Sequence, residues 1–135
     1  MDRVSLLECT LRDGGYVTGW HFEEKVIKDM IQGLVEAGLD YIEVGYLNHK
    51  AYETGTTQFS SIEQIEGYLP KHHRETVFLA MADVQQFLPE DIPPCTGKSV
   101  DGIRVVFYKH QTQAALALAE AAAEAGYKLF VQPMV

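Results

Sequence analysis

Apolar and polar positions along this chain change period several times, and each change marks an element. From Ser5 to Arg12, Leu7, Cys9 and Leu11 alternate with Glu8, Thr10 and Arg12, which predicts a first strand with one apolar and one polar face. Val26, Ile27, Met30, Ile31, Leu34 and Val35 then recur at helical spacing, with Glu23-Glu24 at the start and Gly38 just past the end. Acids at the positive end and a terminal glycine predict a helix over 23–37. Asp40 to Gly45 follows as a short strand. Residues 46–59 have no sustained period and are rich in Tyr, Gly, Thr and Asn, which predicts a long functional loop on the edge where the first strand ends. Ser60-Ser61 caps a second helix to Tyr68, with Ile62, Ile65 and Leu69 turned inward and Pro70 closing it. Thr76 to Ala82 is a third strand, and Asp83 caps a short helical piece through Leu88. Three prolines between Pro89 and Ser99 leave the third helix degenerate. Gly102 to Tyr108, His110 to Ala125 and Tyr127 to Gln132 then give strand, helix and strand.

Four crossover units and a fifth strand define an α/β chain with two solutions. One is slightly more than half of a TIM barrel, and the other is a complete five-stranded flavodoxin-like sheet. Glu8, Glu43 and Arg104 fall in mid-strand, opposite residues suited to packing on helices. In an open sheet covered on both faces those charges would be buried without water. Three charges of mixed sign on one face suit a barrel interior, with Arg104 paired to Glu43 or Glu8. A matching joint, Glu36-Ala37-Gly38 and Glu124-Ala125-Gly126, supports repeated units. A whole barrel takes about 250 residues, so residues 1–135 are expected to form its N-terminal half. The last strand would leave an unpaired apolar edge, which invites a homodimer through exposed strand edges.

Charge and cysteine content narrow the class of partner. A net charge of -8 argues against nucleic acid or an anionic membrane, since those need clustered Lys and Arg. Nowhere do about 18 apolar residues follow one another, and no basic start precedes an apolar run. Cys9 and Cys95 make no C-x-x-C, consistent with reduced thiols and a cytoplasmic setting.

Chemistry concentrates where the first strand ends, at Arg12-Asp13 followed by Gly14-Gly15. The glycines are expected to turn the backbone sharply and leave the charged pair at the lip of the sheet. The stretch Cys9-Thr10-Leu11-Arg12-Asp13-Gly14-Gly15-Tyr16 resembles the opening motif of the metal-dependent aldolase and lyase superfamily. That superfamily includes 4-hydroxy-2-oxovalerate aldolase, hydroxymethylglutaryl-CoA lyase and the isopropylmalate synthases. The resemblance implies a TIM barrel, a divalent ion such as Mg2+ or Mn2+ held by Asp13, and an enolate stabilised by Arg12. It implies a 2-oxo acid or acyl-thioester substrate, with Glu43 as an acid beside the site. Tyr16 stands where the oxovalerate aldolases keep a His base, so a proton-transfer role would fall to a phenol with pKa near 10. The relatives complete the metal site with a His-x-His pair, which is absent from this sequence, so the chain by itself is expected to be inactive.

Plainer readings of the same residues stay open. Asp13-Gly14 is also an ordinary turn, and Arg12 is also an interior partner for Glu43. His21 beside Trp20 reads as packing, Tyr46 and Asn48 as loop residues within reach of a substrate, and His72-His73 as solvated surface. A non-catalytic five-stranded binding domain, using Gly14-Gly15 for an anion, is the alternative from another class.

Overall fold

A computed structural model describes residues 3–71 and 75–135; His72 and His73, read from the sequence as solvated surface, lie outside them. Strands β1 (Leu7–Glu8), β2 (Tyr41–Leu47), β4 (Val77–Asp83), β5 (Gly102–Tyr108) and β6 (Lys128–Met134) form one parallel sheet in the order β1-β2-β4-β5-β6. A further two-residue strand, β3 (Gln58–Phe59), pairs in parallel with the end of β2. Each long crossover adds its strand on the same side of the last one. A flavodoxin-like sheet instead reverses direction after its second strand, so the observed order is that of a half-barrel.

The outer face of the sheet carries the core. Ile42, Val44, Leu47, Phe78, Ala80, Ala82, Ile103 and Val105 pack against Ile27, Ile31 and Val35 of helix α3 (Glu24–Glu36) and Ala115, Leu118 and Ala122 of helix α4 (Thr112–Glu124). The predicted stripe of α3 holds, apart from Val26, which is exposed. Two exposed pairs at helical i,i+4 spacing, Glu24 with Lys28 and Lys25 with Asp29, add a few tenths of a kcal/mol each. The second helix is a 3-10 helix, Ile62–Tyr68, begun by the Gln64 side chain accepting from Ser60 N and Ser61 N at 2.9 and 3.2 Å. The third is a single 3-10 turn, Pro89–Asp91, as the prolines imply.

Four expectations change. The first strand is two residues long, and the chain then coils through the short helices α1 (Thr10–Asp13) and α2 (Gly15–Thr18). The Glu8 carboxylate accepts from the backbone N–H of Thr10 at 3.0 Å and from its hydroxyl, a local bond that competes with ladder pairing. Register also reverses the predicted faces of this segment. Leu7 pairs with Tyr41 and Glu8 with Ile42, so Glu8 shares the helix-facing side and stands away from Glu43.

The long segment 46–59 is a strap rather than a free loop. Thr57 donates its hydroxyl to the Leu11 carbonyl at 2.6 Å and its N–H to the Trp20 carbonyl at 3.0 Å, while Tyr46 N donates to Thr57 O at 2.9 Å. The helical piece expected after Asp83 is a turn, in which the Asp83 carboxylate accepts from Gln85 N at 2.8 Å.

The loop after β4 is fastened to the end of β2 by Asp91, whose carboxylate meets His49 Nε2 at 2.7 Å and accepts from Leu88 N at 2.8 Å. Partial burial acts to raise its pKa, but the hydrogen bonds from His49 and Leu88 outweigh that and hold it below the usual value. A depressed carboxylate stabilises the fold above its unfolded pKa and loses that contribution as pH falls through its folded one. Asp91→Asn is therefore expected to lower stability at neutral pH and to flatten the acid limb of a stability profile below about pH 4. An unchanged acid limb in urea titrations of the variant would remove this role.

Candidate functional site

An irregularity in β2 builds the site. Glu43 pairs with Leu79 and Gly45 with Ala80, so Val44 is an extra residue, a β-bulge. Beyond it Tyr46 pairs with Met81, which in turn pairs with Arg104, which pairs with Phe130. Paired residues of parallel strands point to one side, so Glu43 and Tyr46 both face inward although they are three apart. Regular alternation would have sent Tyr46 outward.

Glu43 has an exposure of 0% and is held by two guanidinium groups. Arg104 binds it in bidentate fashion, Nε to Oε2 at 2.5 Å and Nη2 to Oε1 at 2.8 Å, and Arg12 Nε reaches Oε1 at 2.6 Å. The side chains of Arg12 and Arg104 are 14% and 11% exposed. Two cations and one anion leave this buried trio with one surplus positive charge. Burial acts to lower the pKa of Arg12, but its hydrogen bond to Glu43 and the charges of Glu43 and Asp13 raise it above the usual value. Arg12 Nη1 also donates to Asp13 Oδ1 at 2.9 Å, and its side chain also hydrogen-bonds the Cys9 thiol.

Cys9, predicted to be a core residue, belongs to this cluster. Its thiol is raised above the usual pKa first by burial and then by Glu43, against the opposing charges of Arg104 and Arg12. The thiol is therefore protonated at neutral pH.

The structure thus joins Arg12, Glu43 and Asp13, as the sequence implied, and sets Tyr16 apart. Asp13 is 69% exposed on the last turn of α1. Tyr16, on α2, is 64% exposed and meets Trp20 edge to face, with ring centroids 4.8 Å apart. Trp20 lies 6.1 Å from Tyr46 in turn and donates its indole N–H to the Arg12 carbonyl at 3.1 Å. Burial, then Asp83, push the phenol of Tyr46 up to about 12. Asp83 ends β4 on the inner face, two residues beyond Met81.

The glycines serve a different purpose from the one expected. Gly14 has φ −61° and Gly15 lies inside a right-handed helix, so neither needs glycine's left-handed freedom. A Cβ on Gly15 would lie 2.1 Å from the Trp20 ring, so the second glycine is the seat of that ring. The sequence pattern gave Asp83 a capping role and gave Trp20 none. The signal that would have found Trp20 was the paired glycine with no backbone use. His21 is exposed, 3.9 Å from Glu53. Asn48 is buried, its Oδ1 accepting from Lys50 N at 2.9 Å and its amide nitrogen left without a partner among the described residues.

The implied divalent ion can be tested against the donors present. Asp13 offers one exposed hard oxygen donor of the right kind. Among the described residues, no group of three or more His, Cys, Asp or Glu is placed to hold a metal. The described residues therefore offer a single ligand in Asp13 and do not by themselves make a metal centre. Among the described residues no helix is long and apolar enough to cross a membrane.

Fold and cluster together define a parallel α/β half-barrel with a charged group on its inner face. The chain is similar to "the N-terminal domain of a putative aldolase from Bacteroides vulgatus", a crystal structure with TM-score 0.76 and 27% sequence identity. The match covers 98% of this chain and 45% of that one, so the chain spans less than half the length of that relative. No family model matches the chain, and no curated protein does.

Proposed function

We propose that residues 1–135 are the N-terminal part of a divalent-metal-dependent carbon-carbon lyase or aldolase acting on a 2-oxo acid or acyl thioester. The observation that carries this reading is the buried Arg12–Glu43–Arg104 cluster, with its surplus positive charge, next to the exposed carboxylate of Asp13. Breaking a carbon-carbon bond next to a carbonyl leaves an electron pair that moves onto the carbonyl oxygen as an enolate. A pre-positioned guanidinium stabilises that charge more than it stabilises the neutral carbonyl. Glu43 fixes Arg12 through Nε, so the guanidinium is held in place where it can meet the oxyanion. Arg104 holds Glu43 from the other side, so the catalytic guanidinium cannot swing. Asp13 would supply one ligand to a divalent ion, which when bound adds Lewis-acid polarisation of the carbonyl. The remaining ligands would come from beyond the described residues. Tyr16, 64% exposed and packed against Trp20 rather than the charged cluster, is assigned no proton-transfer step.

Pyruvate release by the longer protein that this reading implies, assayed with 4-hydroxy-2-oxo acids, is the test. Mg2+ or Mn2+ should be required, Asp13→Asn should abolish the metal response, and Arg12→Lys should lower kcat by about 10²–10³. The isolated chain should show no turnover. Turnover by the isolated chain after chelation would sink the reading.

A further inference from the structure

We propose that Tyr46, Trp20 and Tyr16 form a subsite beside Arg12 for a planar aromatic group carried by the 2-oxo acid substrate. The inference rests on the lyase reading above and names the part of the substrate that the charged cluster does not touch.

Four separate features place these rings together. The bulge at Val44 turns Tyr46 onto the inner face, in the same layer as Arg104. Trp20 adopts a left-handed backbone, φ 62°, a strained choice for a bulky residue. Its carbonyl is held by Thr57 N and its indole by the Arg12 carbonyl, and Gly15 lacks the Cβ that would displace the ring. Strain that the surroundings enforce, beside a charged cluster, points to use rather than packing. Tyr16 then extends the wall outward, with most of its ring exposed.

The wall suits an aromatic guest for a geometric reason. Its centroid spacings of 4.8 and 6.1 Å, at interplanar angles of 63° and 38°, are those of rings that offer both faces and edges to a further ring. Ligand sites combine such apolar walls with a few polar groups that fix orientation. Arg12 is that group here: its backbone carries the Trp20 indole and its guanidinium faces the inner cluster. The Tyr46 phenol stays protonated and can donate to a polar substituent of the guest.

Trp20 is the chain's only tryptophan, so its emission reports this subsite alone. The chain would be titrated with 4-phenyl-2-oxobutanoate, with 2-oxobutanoate, and with 4-phenylbutanoate, which lacks the oxo group. The phenyl oxo acid is expected to shift Trp20 emission at about tenfold lower concentration than 2-oxobutanoate, the scale of one good aromatic contact. Tyr16→Ala should erase that difference and leave 2-oxobutanoate unchanged, with the far-ultraviolet circular dichroism confirming the fold. Arg12→Lys should weaken both oxo acids alike. Equal midpoints for the two oxo acids on the unaltered chain would overturn the aromatic subsite while leaving the lyase reading in place. Tight binding of 4-phenylbutanoate that is insensitive to Arg12→Lys would overturn the lyase reading, and with it the substrate named here. No response to any of the three acids would overturn the subsite.

Discussion

Glu43→Gln is expected to cost about 3–5 kcal/mol of unfolding free energy, because it leaves two largely buried guanidinium groups facing each other without their shared counter-ion. The amide keeps the shape of the side chain, so the loss reports charge and not volume. Two of the three carboxylate contacts are at 2.5 and 2.6 Å, the short distances of charge-assisted bonds. A domain of ordinary stability has about 5–15 kcal/mol in all, so the variant should be partly unfolded at modest urea. Adding Arg104→Met should recover more than about 1 kcal/mol, since one buried cation then disappears and Arg12 still has Asp13 at 2.9 Å. Urea denaturation with an unchanged slope is the measurement. A loss below about 1 kcal/mol in the single variant would place the cluster among solvated surface pairs and remove the physical basis for a fixed Arg12.

Gly45→Ala should be the most damaging of the glycine substitutions. A Cβ there would lie 2.4 Å from the Thr57 carbonyl oxygen and 2.5 Å from the Phe59 ring. Neither can retreat at little cost. Thr57 O accepts the Tyr46 N–H, and Phe59 is fully buried between Tyr52 and Tyr68. Overpacking of this kind costs about 1–3 kcal/mol or more, and here it also pushes the strap off β2 just where the bulge aims Tyr46 inward. Gly33→Ala is the control. It sits exposed in α3 with nothing within 4 Å of the new Cβ, and should gain about 0.5–1 kcal/mol from lost unfolded-state freedom. Thermal melts of the two variants should move in opposite directions, and equal shifts would show that the strap yields.

The elements legible in the sequence were those whose pattern has one physical solution. The stripe from Ile27 to Val35 can bury only one side of a helix, and the apolar run Val77–Ala82 with its neighbours can only be a strand covered on the outside. A pairing of Arg104 with Glu43 or Glu8 was also legible, because unlike charges in mid-strand need each other once buried, and register chose Glu43. Cys9, Leu11 and Arg12 misled because a two-residue period over a short segment fits both a strand and a strand that breaks into a helical turn. The choice was made by Thr10 bonding to Glu8, a local competition that periodicity does not register.

Composition and period by themselves determined the order of strands and helices, the apolar outer core, and the presence of an Arg-Asp pair where β1 gives way to its turn. They determined these because burial is set by which residues are apolar and how often they recur. Only the tertiary structure decided that Glu8 turns outward, that Cys9 joins the charged cluster, and that Tyr46 and Trp20 line the inner side. Those outcomes depend on register, a single bulge and a glycine's empty Cβ position. Register and the bulge are contacts between strands far apart in the chain, which no local pattern carries, and the seat that Gly15 gives Trp20 becomes plain only once the backbone shows that the glycine has no conformational use.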